Sequence, residues 1–435
     1  MIHSIISVLK KCWINPIWNI CCAIRNKGGI VACWNLVFRR YREGLSIKTI
    51  LRESWKSRIG TGYFEWQERF EKLTPQDMSA IRKQIQGLQS PPLISILMPV
   101  YNPDPHLLRQ ALDSVQNQIY PYWELCIADD ASPNAQIQTI LEDYCRADSR
   151  IHVIFRKENG HICAASNSAL GLCTGTYTAL MDHDDILPEV ALYFVAMEIT
   201  QHPDAMLIYS DEDLLSPQDK RYNPHFKPDW NEPLFLASNY LNHLSIYRTS
   251  LLREIGGFRL GYEGSQDHDL TLRCVLKIRP SQIRHIPRIL YHWRQFPGSG
   301  SFSDRALEQC KKARRQAVAD YLETKKCNAT VTSGCFGFNK INYTLKKLPL
   351  VTCVIPARNH AELTQICLNG LLYHTDYAPI EVILVDNGSI EQDAISLYKS
   401  FKNHPKVHVI HWDKPFNYSE INNMAAREAH GEILA

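Results

Sequence analysis

Short apolar runs alternate with amphipathic helical patterns along the chain from residue 93 onward. The first run, Leu93-Ile-Ser-Ile-Leu-Met98, suits a buried strand, and a turn at Asn102-Pro103 and a helical pattern follow it. The cycle then repeats. It predicts strands at 124–129, 151–155, 177–182 and 205–210, and helices at 134–147, 162–173 and 188–201. Strands that alternate with helices favour an α/β fold with a mostly parallel sheet flanked by helices.

The first 91 residues follow a different pattern. Apolar and basic clusters occupy 1–60, and a polar helical pattern at 61–91 ends at Ser90-Pro91-Pro92, because proline cannot continue a helix. Residues 1–60 contain eleven Lys or Arg and two Glu, so this segment carries +9 and the rest of the chain −6. We predict a helical basic region over 1–91. Helices lying in a membrane interface and helices packed on the next domain with a solvated basic face fit this pattern equally well.

Composition narrows the class of protein. The chain is 45% hydrophobic and 21% charged, as in ordinary globular proteins. Its 14 cysteines are scattered without a C-x-x-C pair, which favours reduced thiols. We find neither a signal-peptide pattern nor ~20 consecutive apolar residues. We therefore expect a cytoplasmic protein, at the inner face of the cytoplasmic membrane if the basic region is interfacial. We expect no nucleic-acid partner, since no recognition module is present.

An internal repeat organises the remainder of the chain. The segment Pro92–Asn102 returns as Pro349–Asn359 at an offset of 257, and Glu124–Ser132 returns as Glu381–Ser389 at the same offset. Agreement at one offset in separate segments is improbable by chance. The repeat therefore predicts two copies of one domain.

The repeat also defines the predicted domain boundaries. The first copy covers 92–330, a linker covers 331–348, and the second copy covers 349–435. At the later offset of 256, Ala435 corresponds to Ala179. We therefore expect the second copy to be truncated before any counterpart of Asp182.

Acidic residues follow three of the predicted strands. They are Asp129-Asp130, Asp182-His-Asp-Asp185 and Asp211-Glu-Asp213. Parallel neighbouring strands bring such residues to one edge of the sheet, where α/β proteins bind ligands. Clustered carboxylates repel each other unless a cation lies between them, and oxygen ligands suit Mg²⁺ or Mn²⁺ bound to a diphosphate. The alternative is that each Asp is a solvated turn residue or helix cap.

Five motifs in order carry a family resemblance. They are Pro99-Val-Tyr-Asn102, Asp129-Asp-Ala-Ser132, Asn159-Gly160 with Ala164-Ala-Ser-Asn167, Asp182-His-Asp-Asp185 and Gly264-Ser-Gln-Asp-His-Asp269. With these motifs the chain resembles glycosyltransferase family 2 over roughly 92–300 and partly over 349–435. The resemblance implies the nucleotide-sugar-binding GT-A fold. The tandem arrangement resembles bacterial transferases that build O-antigen or related surface polysaccharides.

The resemblance also implies a role for each motif. A sugar-nucleotide donor would be bound by Pro99, Tyr101, Asn102, Asp129, Asp130, Asn159, Gly160, Asn167 and Asp182. The D-x-D motif of Asp182 and Asp184 would hold Mg²⁺ or Mn²⁺, with His292 as a further ligand by family analogy or, alternatively, as a packed core residue. Asp267 would be the general base that takes a proton from the acceptor hydroxyl. The family often has Glu-Asp where this chain has Gln266-Asp267, so a second acid is missing there.

These features lead to one functional prediction and one alternative. We expect an inverting, metal-dependent hexosyltransferase that moves a sugar from a nucleotide-diphosphate donor to a glycan or lipid-linked acceptor in bacterial surface polysaccharide biosynthesis. The alternative is a non-catalytic scaffold or membrane-docking subunit of a polysaccharide assembly complex. The acids Asp182, Asp184 and Asp267 favour the enzyme, whereas the truncated second copy favours the scaffold.

Overall fold

The structure, a computed structural model, describes residues 62–295 and 307–435. The chain divides into two compact units between Asn342 and Tyr343. Most of the predicted basic region, residues 1–61, lies outside the described residues. Its remainder is helical at 62–70 and in helix α1 (Pro75–Gln86), which Thr74 caps through its hydroxyl. Within the described ranges, no helix has the length and apolar character needed to cross a membrane.

The described part of the first unit is built on an eight-stranded sheet in the order β3-β2-β1-β4-β7-β5-β6, with β8 beside β5. The strands are β1 (Ile94–Val100), β2 (Trp123–Asp129), β3 (Ile151–Phe155), β4 (Tyr177–Leu180), β5 (Leu207–Leu215), β6 (Arg221–His225), β7 (Ser245–Arg248) and β8 (Ile283–Arg294). Strands β1 to β4 are parallel, as are β5 and β8, whereas β6 and β7 pair antiparallel to β5. The predicted α/β class with a mostly parallel sheet is confirmed.

Helices connect these strands and cover the sheet. They are α2 (Pro105–Gln116), α3 (Ala135–Ala147), α4 (His161–Leu172), α5 (Ala191–Gln201), α6 (Glu232–Ala237), α7 (Thr249–Glu254), α8 (Gln266–Val275) and α9 (Leu307–Thr324). Strand β2 is buried along its whole length, which explains its continuous apolar pattern. Helix α2 buries one side through Leu108, Ala111, Leu112 and Val115, at the spacing of a core-facing helix.

Strand β5 is the main local departure from the prediction. The apolar run predicts a strand that ends at 210, but β5 continues to Leu215. The extension follows from pairing with β8, which places Asp211 opposite Ile289 and Asp213 opposite His292. These two acids therefore lie inside a strand. They do not lie in the turn after it.

The second unit contains a smaller parallel sheet in the order β13-β12-β11-β14. Its elements are β11 (Val351–Ala357), α10 (Ala361–Tyr373), β12 (Ile380–Asp386), α11 (Gln392–Phe401), β13 (Val407–His411), α12 (Tyr418–Glu428) and β14 (Ile433–Leu434). The strand order has the same pattern as β3-β2-β1-β4 of the first unit. Val351 pairs with Ile380 at the position where Ile94 pairs with Trp123.

The stretch predicted as a linker, 331–348, contains ordered structure. Strands β9 (Ala329–Ser333) and β10 (Asn339–Tyr343) pair with each other. Val331 and Ile341 pack against the hydrophobic core of the first unit. The chain between the two units is therefore shorter than the sequence predicts, because apolar residues of this hairpin are partly buried.

Candidate functional site

The D-x-D segment lies directly after β4, at the carboxyl edge of the sheet. Asp182 and Asp184 are partly exposed, whereas Asp185 is buried. The Asp185 carboxylate accepts hydrogen bonds from the Tyr291 hydroxyl at 2.6 Å and from the Arg294 amide at 2.7 Å. Burial and the nearby acids raise the pKa of Asp185 well above its usual range. The Asp185 carboxylate is thus occupied by its contacts with β8. Asp182 and Asp184 are the two aspartates of this segment that remain accessible to a ligand.

Asp182 lies between two other parts of the site. Its amide donates to the Tyr291 oxygen at 3.1 Å, and its Oδ2 lies 3.7 Å from Nε2 of His243. Burial raises the pKa of Asp182, the charges of Asp184 and Asp267 raise it further, and His243 opposes the rise. An additional positive charge near these carboxylates would therefore be favourable.

His243 is held in a fixed orientation beside the acids. Its ring stacks on Tyr291 with centroids 4.7 Å apart, and Nδ1 lies 3.3 Å from Oε2 of Glu212. Burial alone would lower the pKa of His243, but the hydrogen bond to Glu212 and the surrounding carboxylates raise it to about 9. These carboxylates therefore favour the protonated, cationic form of the imidazole.

Asp267, the residue expected to be the general base, lies in the first turn of α8. Its Oδ1 accepts the His268 amide at 2.8 Å. Its Oδ2 accepts the side-chain amides of Asn239, at 3.0 Å, and of Asn242. The Ser245 hydroxyl donates to Oδ1 of Asn242, which turns the amide nitrogen toward Asp267.

Two consecutive residues connect the candidate base with the D-x-D motif. Asn242 contacts Asp267, and His243 lies beside Asp182. The two aspartates are far apart in the sequence, yet this loop between α6 and β7 brings them to one site.

The remaining donor-binding candidates form a second group at the ends of β1 and β2. Asn102 has a positive φ of 46°, and its amide donates to the Ser132 hydroxyl at 2.8 Å. That hydroxyl in turn donates to Asp129. Tyr101 is half exposed, and the Pro99 carbonyl lies 3.1 Å from Nδ1 of His183, which connects this loop with the D-x-D segment.

Asp130 organises the loop before α4. Its carboxylate accepts Nε of Arg156 at 2.7 Å and the Gly160 amide at 3.0 Å, and its carbonyl accepts the Asn159 side chain at 3.3 Å. The structure therefore brings Asp130, Asn159 and Gly160 together. A Cβ on Gly160 would lie 2.6 Å from the Arg156 guanidinium, which explains the glycine there.

Asn167 makes a contact that the sequence analysis did not anticipate. Its Nδ2 donates to the Phe258 carbonyl and its Oδ1 accepts the Phe258 amide, both at 2.8 Å. Both polar atoms of the side chain are thus engaged with the backbone after the turn Gly256-Gly257. Asn167 therefore stabilises that turn.

The candidate metal ligands do not form a complete protein cage. Within the described residues, no group of three or more His, Cys, Asp or Glu side chains is arranged to hold a metal ion. Nδ1 of His292 bonds Asp213 at 2.6 Å, and Asp213 also accepts Tyr63 and Arg221. Mg²⁺ commonly uses one or two carboxylates plus phosphate oxygens and waters, so Asp182 and Asp184 alone fit such an ion.

Several residues that shape the site were missed from the sequence. They are Lys227, Asn239, Asn242 and His243. The one available signal was two asparagines and a histidine within the five residues 239–243. Asparagine in a loop usually indicates a turn, so the signal was not specific.

The comparison with known families decides where the chain belongs. The sequence profile of Glycosyl transferase family 2 matches residues 95–256 and 352–435. The chain belongs to glycosyltransferase family 2. The motifs quoted from the sequence from Pro99 to Asp185 lie within the first matched range.

Relatives of this glycosyltransferase family 2 chain extend the comparison. It is 38% identical to the protein y4gI of Sinorhizobium fredii, over 91% of this chain and 44% of that protein. It is 33% identical to the O-antigen biosynthesis protein RfbC of Myxococcus xanthus, over 83% of this chain and 28% of that protein. The chain thus spans less than half the length of both relatives. A crystal structure of S. aureus TarS 1–349 matches with a TM-score of 0.43 and 21% identity, over 53% of this chain and 65% of that one.

Proposed function

We propose that the first unit is an inverting, metal-dependent hexosyltransferase that uses a nucleotide-diphosphate sugar. The observation that supports this proposal is that Asn242 contacts Asp267 while the next residue, His243, lies beside Asp182. The similarity to the O-antigen protein RfbC supports a glycan or lipid-linked acceptor in bacterial surface polysaccharide synthesis. The positive charge of residues 1–60 supports a place at the inner face of the cytoplasmic membrane.

Asp267 would act as the general base. Its Oδ2 accepts two side-chain amides, whereas its Oδ1 accepts one backbone amide and has the capacity for a further hydrogen bond. Oδ1 would take the proton of the acceptor hydroxyl while that oxygen attacks the anomeric carbon. The bond from the anomeric carbon to the diphosphate breaks, and the nucleoside diphosphate leaves with the electron pair. Base catalysis of this kind is worth about 10²–10⁴-fold.

Asp182 and Asp184 would hold Mg²⁺ or Mn²⁺ together with the donor diphosphate. The ion supplies positive charge that stabilises the leaving group. His243 adds a protein cation on the same side, beside Asp182. The loop of Pro99, Tyr101 and Asn102 would contact the nucleobase, and the half-exposed Tyr101 ring offers it an aromatic face.

The test compares Asp267→Asn with wild type in a donor panel of nucleotide-diphosphate hexoses with Mn²⁺. Donor turnover should fall by about 10²–10⁴-fold in the variant. A matched control is Asp143→Asn, which removes an exposed acid of α3 that pairs with Arg146 on the surface. This control should retain wild-type turnover. If no donor is turned over by wild type, the scaffold alternative gains and the enzymatic proposal fails.

A further inference from the structure

A buried cation, Lys227, binds the backbone of the loop at 239–243. The Lys227 side chain has no exposed surface. Its Nζ donates to the Leu241 carbonyl at 3.0 Å and to the His243 carbonyl at 2.6 Å, and it lies 3.9 Å from Oε1 of Glu212. Because it is buried, Lys227 cannot touch a substrate. Its three donor hydrogens are directed at this loop and at one counter-ion.

Glu212 holds the same loop through its other groups. Its Oε2 accepts the His243 amide and lies 3.3 Å from Nδ1 of the His243 ring. Lys227 therefore fixes the carbonyl of His243, while Glu212 fixes its amide and its ring. Both residues belong to the β5–β6 region, since Glu212 lies in β5 and Lys227 follows β6 closely.

The loop in turn contacts acids on both sides of the site. Asn239 and Asn242 donate to Asp267, and His243 lies beside Asp182. A movement of the loop backbone would shift all three side chains together. The relative position of the candidate base and the D-x-D motif thus depends on how firmly the loop is held.

A gain in folding stability does not by itself explain why Lys227 and Glu212 form a buried ion pair. Removing both charges from water is costly, and apolar replacements of buried pairs are often neutral or stabilising. Burial lowers the pKa of Lys227 to about 8, against the opposing charge of Glu212, which shows that the protein bears this cost. A role in fixing geometry is the best-attested reason for retaining such a pair.

We propose that Lys227 is a positioning residue, which together with Glu212 fixes the 239–243 loop and thereby sets the distance between Asp267 and the D-x-D motif. This inference rests on the glycosyltransferase function proposed above. According to this inference, the reaction also depends on a residue that does not contact the substrate. Lys227→Met, which keeps the unbranched stem and removes the ammonium, tests it.

The expected result separates catalysis from binding. In Lys227→Met, kcat should fall about 10–100-fold, since small displacements of reacting groups cost this much. The KM for the donor should change less than kcat, because Asn102 and Asp130, at the ends of β1 and β2, are held by Ser132 and Arg156 and do not depend on this loop for these contacts. Amide hydrogen exchange in residues 239–244 should become faster in the same variant.

Arg248→Met is the matched control. Arg248 is also a cation that binds backbone carbonyls, those of Pro203 and Ala205, but these lie before the amino end of β5, at the opposite edge of the sheet. This variant should keep wild-type kcat and wild-type exchange in 239–244. If Lys227→Met does not fold, Lys227→Arg keeps a cation at this position but changes its length and hydrogen-bond geometry, and it should also lower kcat and speed exchange in the loop.

Specific outcomes would overturn the proposal. Unchanged kcat in the folded Lys227 variant would do so, and so would a lower kcat with unchanged exchange in the loop, because the effect would then act by another route. An equal fall in Arg248→Met would also do so. Failure of the wild type to turn over any donor would overturn the proposed function instead, and the exchange measurement on the loop would still be readable.

Discussion

Asp182 and Asp267 differ in how the protein uses their carboxylate oxygens. Asp267 receives one backbone amide and two side-chain amides, so its orientation is fixed by donors on both sides. The Asp182 carboxylate, by contrast, lies 3.7 Å from Nε2 of His243. A general base needs a fixed direction for proton transfer, whereas a metal or donor ligand needs free lone pairs. The two environments thus match the two proposed roles.

At the residue scale, the turn held by Asn167 leads to a stability prediction. Gly257 has a φ of +67°, and a Cβ there would lie 2.3 Å from Oδ1 of Asn167. In Gly257→Ala, the left-handed backbone conformation would therefore cost about 1–2 kcal/mol. In addition, the new methyl group would clash with the side-chain amide of Asn167, which is held by two hydrogen bonds. We expect the free energy of unfolding to fall by about 2–4 kcal/mol, measured by urea denaturation.

The neighbouring glycine provides the control for that variant. Gly256 has a φ of +79°, but nothing lies within 4 Å of a Cβ built there. Gly256→Ala should therefore show the strain alone, about 1–2 kcal/mol. Equal losses in both variants would mean that the contact with Asn167 contributes nothing.

At the element scale, α8 presents Asp267 to the site while its next residue faces the core. The His268 side chain is fully buried, and its Nε2 lies 2.9 Å from the Phe235 carbonyl. A carbonyl only accepts, so Nε2 carries the proton. The ring also packs edge-on against Phe235, with centroids 4.6 Å apart. This contact fixes the first turn of α8 and hence the base.

The burial of His268 leads to a pH prediction. Desolvation lowers the pKa of His268 to about 3. An unfolded histidine titrates near 6.5, so between about pH 6.5 and 3 the unfolded chain binds a proton that the folded chain does not. The free energy of unfolding therefore falls as the pH falls through this window. Replacing His268 by Gln should remove this contribution, which approaches about 1.4 kcal/mol per pH unit.

The measurement is urea unfolding at several pH values for both proteins. His268→Gln should show a shallower loss of stability below pH 6.5 than wild type, even if it is less stable at pH 8. Parallel curves for the two proteins would contradict a buried neutral histidine at this position.

The same scale shows what the sequence can and cannot predict. Strand β2 and helix α2 were predictable because their apolar periodicity reflects burial against the sheet. Strand β7 was not predicted, and it is defined by antiparallel pairing with β4 and β5, which come from distant parts of the chain. The acids of β5 look like turn residues because some of their partners, His285 for Asp211 and His292 for Asp213, come from distant parts of the chain.

In the candidate site, too, residues that belong to sequence motifs were predictable, whereas contacts between residues far apart in the chain were not. The D-x-D segment and Asp267 were predictable because their residue types occur in family motifs. The hydrogen bonds from Asn239 and Asn242 to Asp267 were not predictable, since only the folded loop brings these amides to the carboxylate. Likewise, nothing local to Lys227 indicates that its ammonium binds carbonyls of residues 241 and 243.

At the scale of the whole molecule, buried acids of the first unit are satisfied by the protein itself. Asp185 bonds Tyr291 and Arg294, Asp213 bonds His292, and Glu212 is balanced by Lys227. A metal ion contributes to folding when its ligands would otherwise be uncompensated. The aspartates of the D-x-D motif, Asp182 and Asp184, are by contrast partly exposed and can be hydrated.

This contrast predicts that metal removal abolishes activity without unfolding the protein. After treatment with EDTA and dialysis, donor turnover should disappear and return with Mn²⁺. The melting temperature without donor should change by no more than about 1 °C, since the buried acids keep their protein partners. Mn²⁺ together with a nucleoside diphosphate should raise the melting temperature more than either alone, because the diphosphate would supply ligands in addition to the proposed pair Asp182 and Asp184. A drop of several degrees on chelation alone would instead indicate a structural metal ion, and the D-x-D motif would then not be its only site.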